Sequence, residues 1–201
     1  MRRTTTVTLT SLAALVAAAA PSMAMDAVPS AQVESHSHAL GPVQAAAVPG
    51  SRARGSARVM ALPSGKLQVT VVADGLTPGV HHMMHLHTFP TAPDQGCPGP
   101  VADADGDGLV SVTEGVPWYG PVMVSLTTSG ATTGTVDMMA FPLADATGHL
   151  EYQRTFAASE ANLELARRVQ VVVHGLDLDA SGTLAGGMET TIPVLCGGVA
   201  D

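Results

Sequence analysis

Short β-prone runs, each closed by turn-forming residues, constrain this chain more than any other feature. Leu67, Val69, Val71 and Ala73 alternate with polar or small residues, the period of a strand with one buried face. Pro63-Ser64-Gly65 separates this run from Ser56 to Leu62, and Asp74-Gly75-Leu76-Thr77-Pro78-Gly79 closes it. Similar punctuation isolates Val80 to Thr88, Val122 to Thr127, Gly134 to Phe141, Leu150 to Phe156, Val169 to His174 and Thr190 to Leu195. The pattern predicts an all-β fold, a single antiparallel sandwich or barrel. One short helix is expected over Ser159 to Arg168, where Ser159 can cap and Glu160 and Arg167-Arg168 complement the helix dipole.

The start of the chain has a different character. Met1-Arg2-Arg3, an apolar stretch from Val7 to Ala20 and small residues at Ser22-Met23-Ala24 have the form of a signal peptide cut after Ala24. The mature chain is therefore expected to be secreted, extracellular or periplasmic. From Met25 to Gly50 the sequence is rich in Ala, Pro, Ser and Val and reads as a flexible leader. In that leader His36 and His38 are either solvated or loose metal ligands. A single β domain is expected over 51–201. No later run approaches the roughly 20 apolar residues of a membrane span.

The formal charge is −8, and Lys66 is the only lysine. That balance argues against nucleic acid and anionic membranes as partners. Cys97 and Cys196 are the only cysteines, and in an exported chain they most simply form one disulfide.

Asp103-Ala104-Asp105-Gly106-Asp107-Gly108-Leu109-Val110-Ser111-Val112-Thr113-Glu114 fits the twelve-residue calcium pattern. Asp103, Asp105 and Asp107 stand at places 1, 3 and 5, and Gly108 at 6 permits the sharp turn. The Leu109 carbonyl serves at 7, Ser111 through water at 9, and Glu114 with both oxygens at 12. Ca²⁺ takes six to eight oxygen ligands, which this wrap supplies. An EF-hand has a helix on each side of such a loop. Pro98-Gly99-Pro100 before it and Gly115-Val116-Pro117 after it predict neither helix. Calcium is then expected to order a long connection rather than to open a sensor. A second run, Asp177-Leu178-Asp179-Ala180-Ser181-Gly182-Thr183, begins alike, but has Met188 where the last ligand should be and Glu189 one residue late. It reads as an Asp/Gly turn first and a second calcium site second.

In His81-His82-Met83-Met84-His85-Leu86-His87, strand alternation places His81, Met83, His85 and His87 on one face. Imidazole with thioether is a copper-binding composition. A further ligand is available in His174, which ends the apolar run Val169 to Val173. Hydrogen-bonded structural histidines are the competing reading for His85 and His87. His149 is expected to be exposed.

Gly75 to His87, Cys97, Val171-Val172-Val173-His174-Gly175 and Leu195-Cys196-Gly197-Gly198 together resemble the Cu,Zn superoxide dismutase fold family. The similarity covers about Ser56 to Val199. It implies an eight-stranded Greek-key barrel, copper on His85, His87 and His174, and a disulfide from Cys97 to Cys196. Tyr119 to Thr127, with the His-x-His, is also similar to bacterial secreted proteins with chordin-type (CHRD) domains. The chain departs from the dismutase pattern between its histidines. Only His149 intervenes between His87 and His174, the calcium loop stands where zinc would be held, and no arginine or lysine follows Arg168.

Three functions are thus expected from the sequence. The first is a secreted calcium-binding protein of dismutase-like fold that also holds copper through its histidines, with metal binding favoured over catalysis. The second is a non-enzymatic extracellular CHRD-like module with structural calcium and a protein or glycan partner. The third is a copper-dependent superoxide dismutase.

Overall fold

The computed structural model describes residues 33–91, 96–184 and 186–198. The chain falls into two units, Met1–Ser30 and Ala31–Asp201, and every described residue belongs to the second. The signal-peptide expectation for 1–24 lies outside the described residues. Among those described, no helix is long and apolar enough to cross a membrane.

The eight strands are β1 (Glu34–Pro42), β2 (Arg54–Leu62), β3 (Lys66–Asp74), β4 (Met84–His87), β5 (Val122–Ser125), β6 (Leu150–Ala157), β7 (Gln170–His174) and β8 (Pro193–Gly198). They form one curled antiparallel sheet in the order β5-β4-β7-β8-β1-β2-β3-β6. The fold is therefore mostly β, as its alternation predicts. Leu67, Val69, Val71 and Ala73 of β3 are fully buried. Pro63-Ser64-Gly65 makes the β2–β3 hairpin, closed by the bond from Gly65 N to Leu62 O at 3.1 Å.

Strand β1 corrects the expectation of a flexible leader through Gly50. Glu34 to Leu40 pair with β2, and Gly41 and Pro42 pair with β8, so one strand passes from one partner to the other. His38 and Leu40 point inward while Ser37 and Ala39 point out. The two-residue period is present in Ser-His-Ser-His but is written in polar residues.

The end strands β5 and β6 share no ladder, and side chains connect that side of the sheet. Tyr152 Oη and Arg154 Nη1 of β6 donate to Thr127 O at 3.2 and 2.8 Å, and Arg154 Nη2 donates to Gly130 O at 2.7 Å. The Gly134 to Phe141 strand does not form. The Asp137 carboxylate accepts from Met139 N at 2.8 Å and caps a 3-10 turn over Met138–Ala140, a local alternative that aspartate offers to a strand ladder.

Three short helices are present among the described residues: α1 (Val112–Tyr119), α2 (Glu160–Leu165) and α3 (Met188–Thr191). Helix α2 starts at the expected cap, with Ser159 accepting from Asn162 N, and a 3-10 turn continues it to Arg168. Helix α1 overturns the expectation that no helix follows the acidic loop. Ser111 and Glu114 form a capping box at its start, which fills orphan donors of the first turn. Gly115 is an accommodation there: a Cβ would lie 2.6 Å from the Tyr119 ring. Pro117 falls one turn in, where it removes a single intrahelical bond.

Met84, Leu86, Val171, Val173 and Leu195 face the main core beneath β4, β7 and β8. The opposite face carries a second, smaller core of Val43, Ala102, Val110, Tyr119, Val172 and Cys196. This second core fastens the acidic loop and α1 to the sheet. A disulfide between Cys97 and Cys196, with Cα atoms 5.6 Å apart, ties the same connection to β8.

Candidate metal centre

Strand alternation that sends Met84 and Leu86 into the core turns His85 and His87 to the other face. His174 ends β7, and β4 pairs with β7 through His85↔Val172 and Met84↔Val173. The three rings therefore meet. One ring nitrogen from each lies within 4.8 Å of the other two, and the ring centroids are 5.2 to 5.8 Å apart.

Hydrogen bonding decides which nitrogens are left over. His87 Nδ1 lies 2.8 Å from Gly120 O, and His174 Nδ1 lies 2.7 Å from Thr191 O. A carbonyl only accepts, so each Nδ1 carries the proton and each Nε2 presents a lone pair. His87 Nε2, His174 Nε2 and His85 Nδ1 are all buried without a partner. Burial of such atoms is costly unless something occupies them. A metal ion fits this donor set, because neutral imidazoles are its ordinary ligands and a backbone carbonyl on the other ring nitrogen, as at His87 and His174, orients such a ring.

Burial is the main cause that pushes His85 down to about 2, His87 to about 3 and His174 to about 4. The neighbouring rings add to it at His85 and His87, while the Gly120 and Thr191 carbonyls oppose it at His87 and His174. All three are thus neutral at physiological pH. Beside them is a cavity of about 180 Å³ whose other walls are Met83, Val112, Val116, Val122 and Thr191. Val112 and Val116 belong to α1, and the Tyr119 ring lies 4.5 Å from that of His87.

His81 and His82, neighbours in sequence, do not join the cluster. His81 Nδ1 contacts Phe141 O at 2.7 Å, and the fully buried His82 lies between His174 O and Thr77 O. His149, its side chain 41% exposed, pairs with Asp74 at 2.8 Å, and that partner holds its pKa up. His38 is buried in β1.

The acidic loop is wound on its own carboxylates. Asp103 accepts from Gly106 N and Gly108 N at 2.8 and 2.9 Å, and Asp105 accepts from Asp107 N at 3.1 Å. Glu114 Oε1 reaches back to Ala104 N at 2.7 Å, and Glu114 Oε2 accepts from Ser111 N and Ser111 Oγ, each at 2.8 Å. Those bonds to Ser111 and Ala104 hold the Glu114 carboxyl down to about 2. Carboxylate oxygens of Asp103, Asp105 and Glu114 lie within 4.8 Å of one another. Asp107 stands outside that group, its Oδ1 accepting from Leu109 N at 2.8 Å. Ser111 caps α1 with the hydroxyl expected to act through water.

The second run repeats this winding. Asp177 accepts from Gly182 N at 2.8 Å, as Asp103 does from Gly108 N, and Glu189 Oε1 accepts from Leu178 N at 2.8 Å, as Glu114 does from Ala104 N. Asp177, Asp179 and Glu189 group within 4.8 Å, so the extra residue before Glu189 is absorbed. Each acidic run leads into a short helix near whose end a carbonyl holds one histidine of the cluster: Gly120 after α1 holds His87, and Thr191 of α3 holds His174.

One positioning residue escaped the sequence reading. Gln44 is 3% exposed; its Nε2 donates to Val110 O and Pro193 O at 2.9 and 2.8 Å, and its Oε1 accepts from Val110 N at 2.8 Å. A lone glutamine in an Ala/Pro/Val stretch gives no signal of such a role.

No protein-family model matches the chain, and no curated protein matches it.

Proposed function

We propose that this chain is an exported metal-binding protein that holds copper on His85, His87 and His174 and calcium in the loop Asp103 to Glu114. One observation carries the copper reading: the three imidazole rings converge, and each keeps a buried nitrogen without a hydrogen-bond partner. Three neutral imidazoles with the Met83 thioether at the cavity wall suit copper better than a hard cation. Calcium is supported by the crowding of Asp103, Asp105 and Glu114 in a loop of the right spacing.

The strand order and the side-chain links from β6 to the loop that follows β5 support a Greek-key barrel of the Cu,Zn superoxide dismutase kind. Metal holding is favoured over turnover because the described residues lining the cavity include no lysine or arginine to draw in an anionic substrate. In this site His87 and His174 each keep a proton on Nδ1 and offer Nε2, while the apolar walls limit water. Copper when bound would supply the capacity for one-electron exchange.

Elemental analysis of purified protein after loading tests both assignments. One copper and at least one calcium per chain are expected. A His85→Ala, His87→Ala double variant should lose the copper and keep the calcium. Failure to load copper, or loading unaltered in the double variant, overturns the copper assignment.

A further inference from the structure

We infer that the two metal sites are thermodynamically coupled, with calcium in the Asp103 to Glu114 loop tightening the hold of His85, His87 and His174 on copper through helix α1; this rests on the metal assignments proposed above. Glu114 belongs to both parts. Its carboxylate gathers Ala104 N at the head of the loop and Ser111 at its foot, and the residue itself is the third of α1. Val116 lies four positions after Val112, so one face of α1 presents both to the cavity over the histidines. The helix end then delivers Tyr119 against the His87 ring and the Gly120 carbonyl to His87 Nδ1.

This helix has little stability of its own. It is eight residues long and contains Gly115 and Pro117, whereas isolated helices shorter than about 12 to 15 residues are marginal in water. Its docked position therefore depends on its ends and its packing. At the N-terminal end stand the negative charges of Asp103, Asp105 and Glu114, within 4.8 Å of one another. Their mutual repulsion works against the capping box, and a divalent cation among them reverses the sign of that effect. At the C-terminal end, Gly120 has φ +85°, and a Cβ on it would lie 2.6 Å from the Thr88 backbone. The helix thus ends against the residue following β4. An ion that favours the docked helix favours the state in which His87 Nδ1 is bonded, its Nε2 is left without a partner beside the other two rings, and the cavity is covered. The linkage is reciprocal, so copper must tighten calcium binding by the same factor.

The test uses the full mature protein, freed of calcium over a chelating resin and loaded with Cu(II). Copper affinity is measured by competition with a pyridylazo dye, with and without saturating Ca²⁺. Calcium is expected to raise copper affinity about tenfold, within the usual range of allosteric factors, and copper to raise calcium affinity equally. An Asp103→Asn, Asp105→Asn variant, which spares Glu114 and the capping box, should still bind copper but show no calcium effect. If wild-type protein binds both ions and copper affinity is the same with and without calcium, the coupling is overturned while the metal sites stand. Failure at the loading step, for either ion, removes the sites and the coupling with them. A calcium effect that persists in the double variant also overturns it.

Discussion

Gln44 satisfies both peptide groups of Val110, accepting from its N–H at 2.8 Å and donating to its carbonyl at 2.9 Å. The glutamine follows β1 and the valine lies in the acidic loop, so a side chain substitutes for a strand in anchoring that loop to the sheet. A third bond, to Pro193 O at 2.8 Å, fixes the amide against β8. Gln44→Ala would leave buried backbone groups unpaired, at about 1 to 3 kcal/mol for each one left without water. We expect a loss of about 2 to 4 kcal/mol in denaturant unfolding, together with weaker calcium binding by titration calorimetry. Unchanged stability would mean that the loop is not anchored through this amide.

Acid should destabilise the metal-free protein. The pKa values of His85, His87 and His174 are lowered in the folded state, to about 2, 3 and 4, while in the unfolded chain each titrates near its ordinary value of about 6.5. Between those limits the unfolded state binds more protons, so stability rises with pH and falls as pH drops below about 6.5. Each such group contributes a slope approaching about 1.4 kcal/mol per pH unit. Melting temperatures of metal-free protein from pH 7 to pH 4.5 should fall steeply, and more gently in the His85→Ala, His87→Ala variant. A curve identical in the two proteins would contradict the burial of these rings as neutral bases.

Replacing Cys97 and Cys196 by serine opens a closure of 99 residues. Loop entropy alone places the cost at about 4 to 5 kcal/mol, an upper figure because residual structure reduces it. The same substitution loosens the segment leading into the acidic loop, since Cys97 and Cys196 pack in the core that holds Val110 and Tyr119. Calcium-dependent melting curves of the two proteins should therefore differ in calcium midpoint as well as in melting temperature.

Ser111→Ala removes the cap of α1 and one donor to the Glu114 carboxylate. About 1 kcal/mol of stability is expected to go. With that support gone, the Glu114 carboxyl should titrate nearer its ordinary range, which carbon-detected NMR of the carboxyl would read directly.

Much of the β architecture was legible because its signals are local. The alternation in β3, the turn at Pro63-Ser64-Gly65 and the Ser159 cap each specify structure within a few residues. Strand β1 was hidden because its inward positions include His38, so a correct period looked like a polar linker. Helix α1 was hidden because Gly115 and Pro117 are helix breakers in general. Only the packed Tyr119 ring explains the glycine, and only the capping box explains how a helix so short begins. The histidines were visible singly. Their convergence depends on the pairing of β4 with β7, and the role of Gln44 on a partner 66 positions away, neither of which is written in local sequence.

Electron paramagnetic resonance of the protein loaded with one equivalent of Cu(II) addresses the proposed copper site most directly. The expected spectrum is a single protein-bound copper species with nitrogen couplings from three imidazoles, reduced in number by His174→Ala and lost from the site in the His85→Ala, His87→Ala variant. A spectrum of free or heterogeneous copper, or one the same in wild type and in both variants, would contradict it.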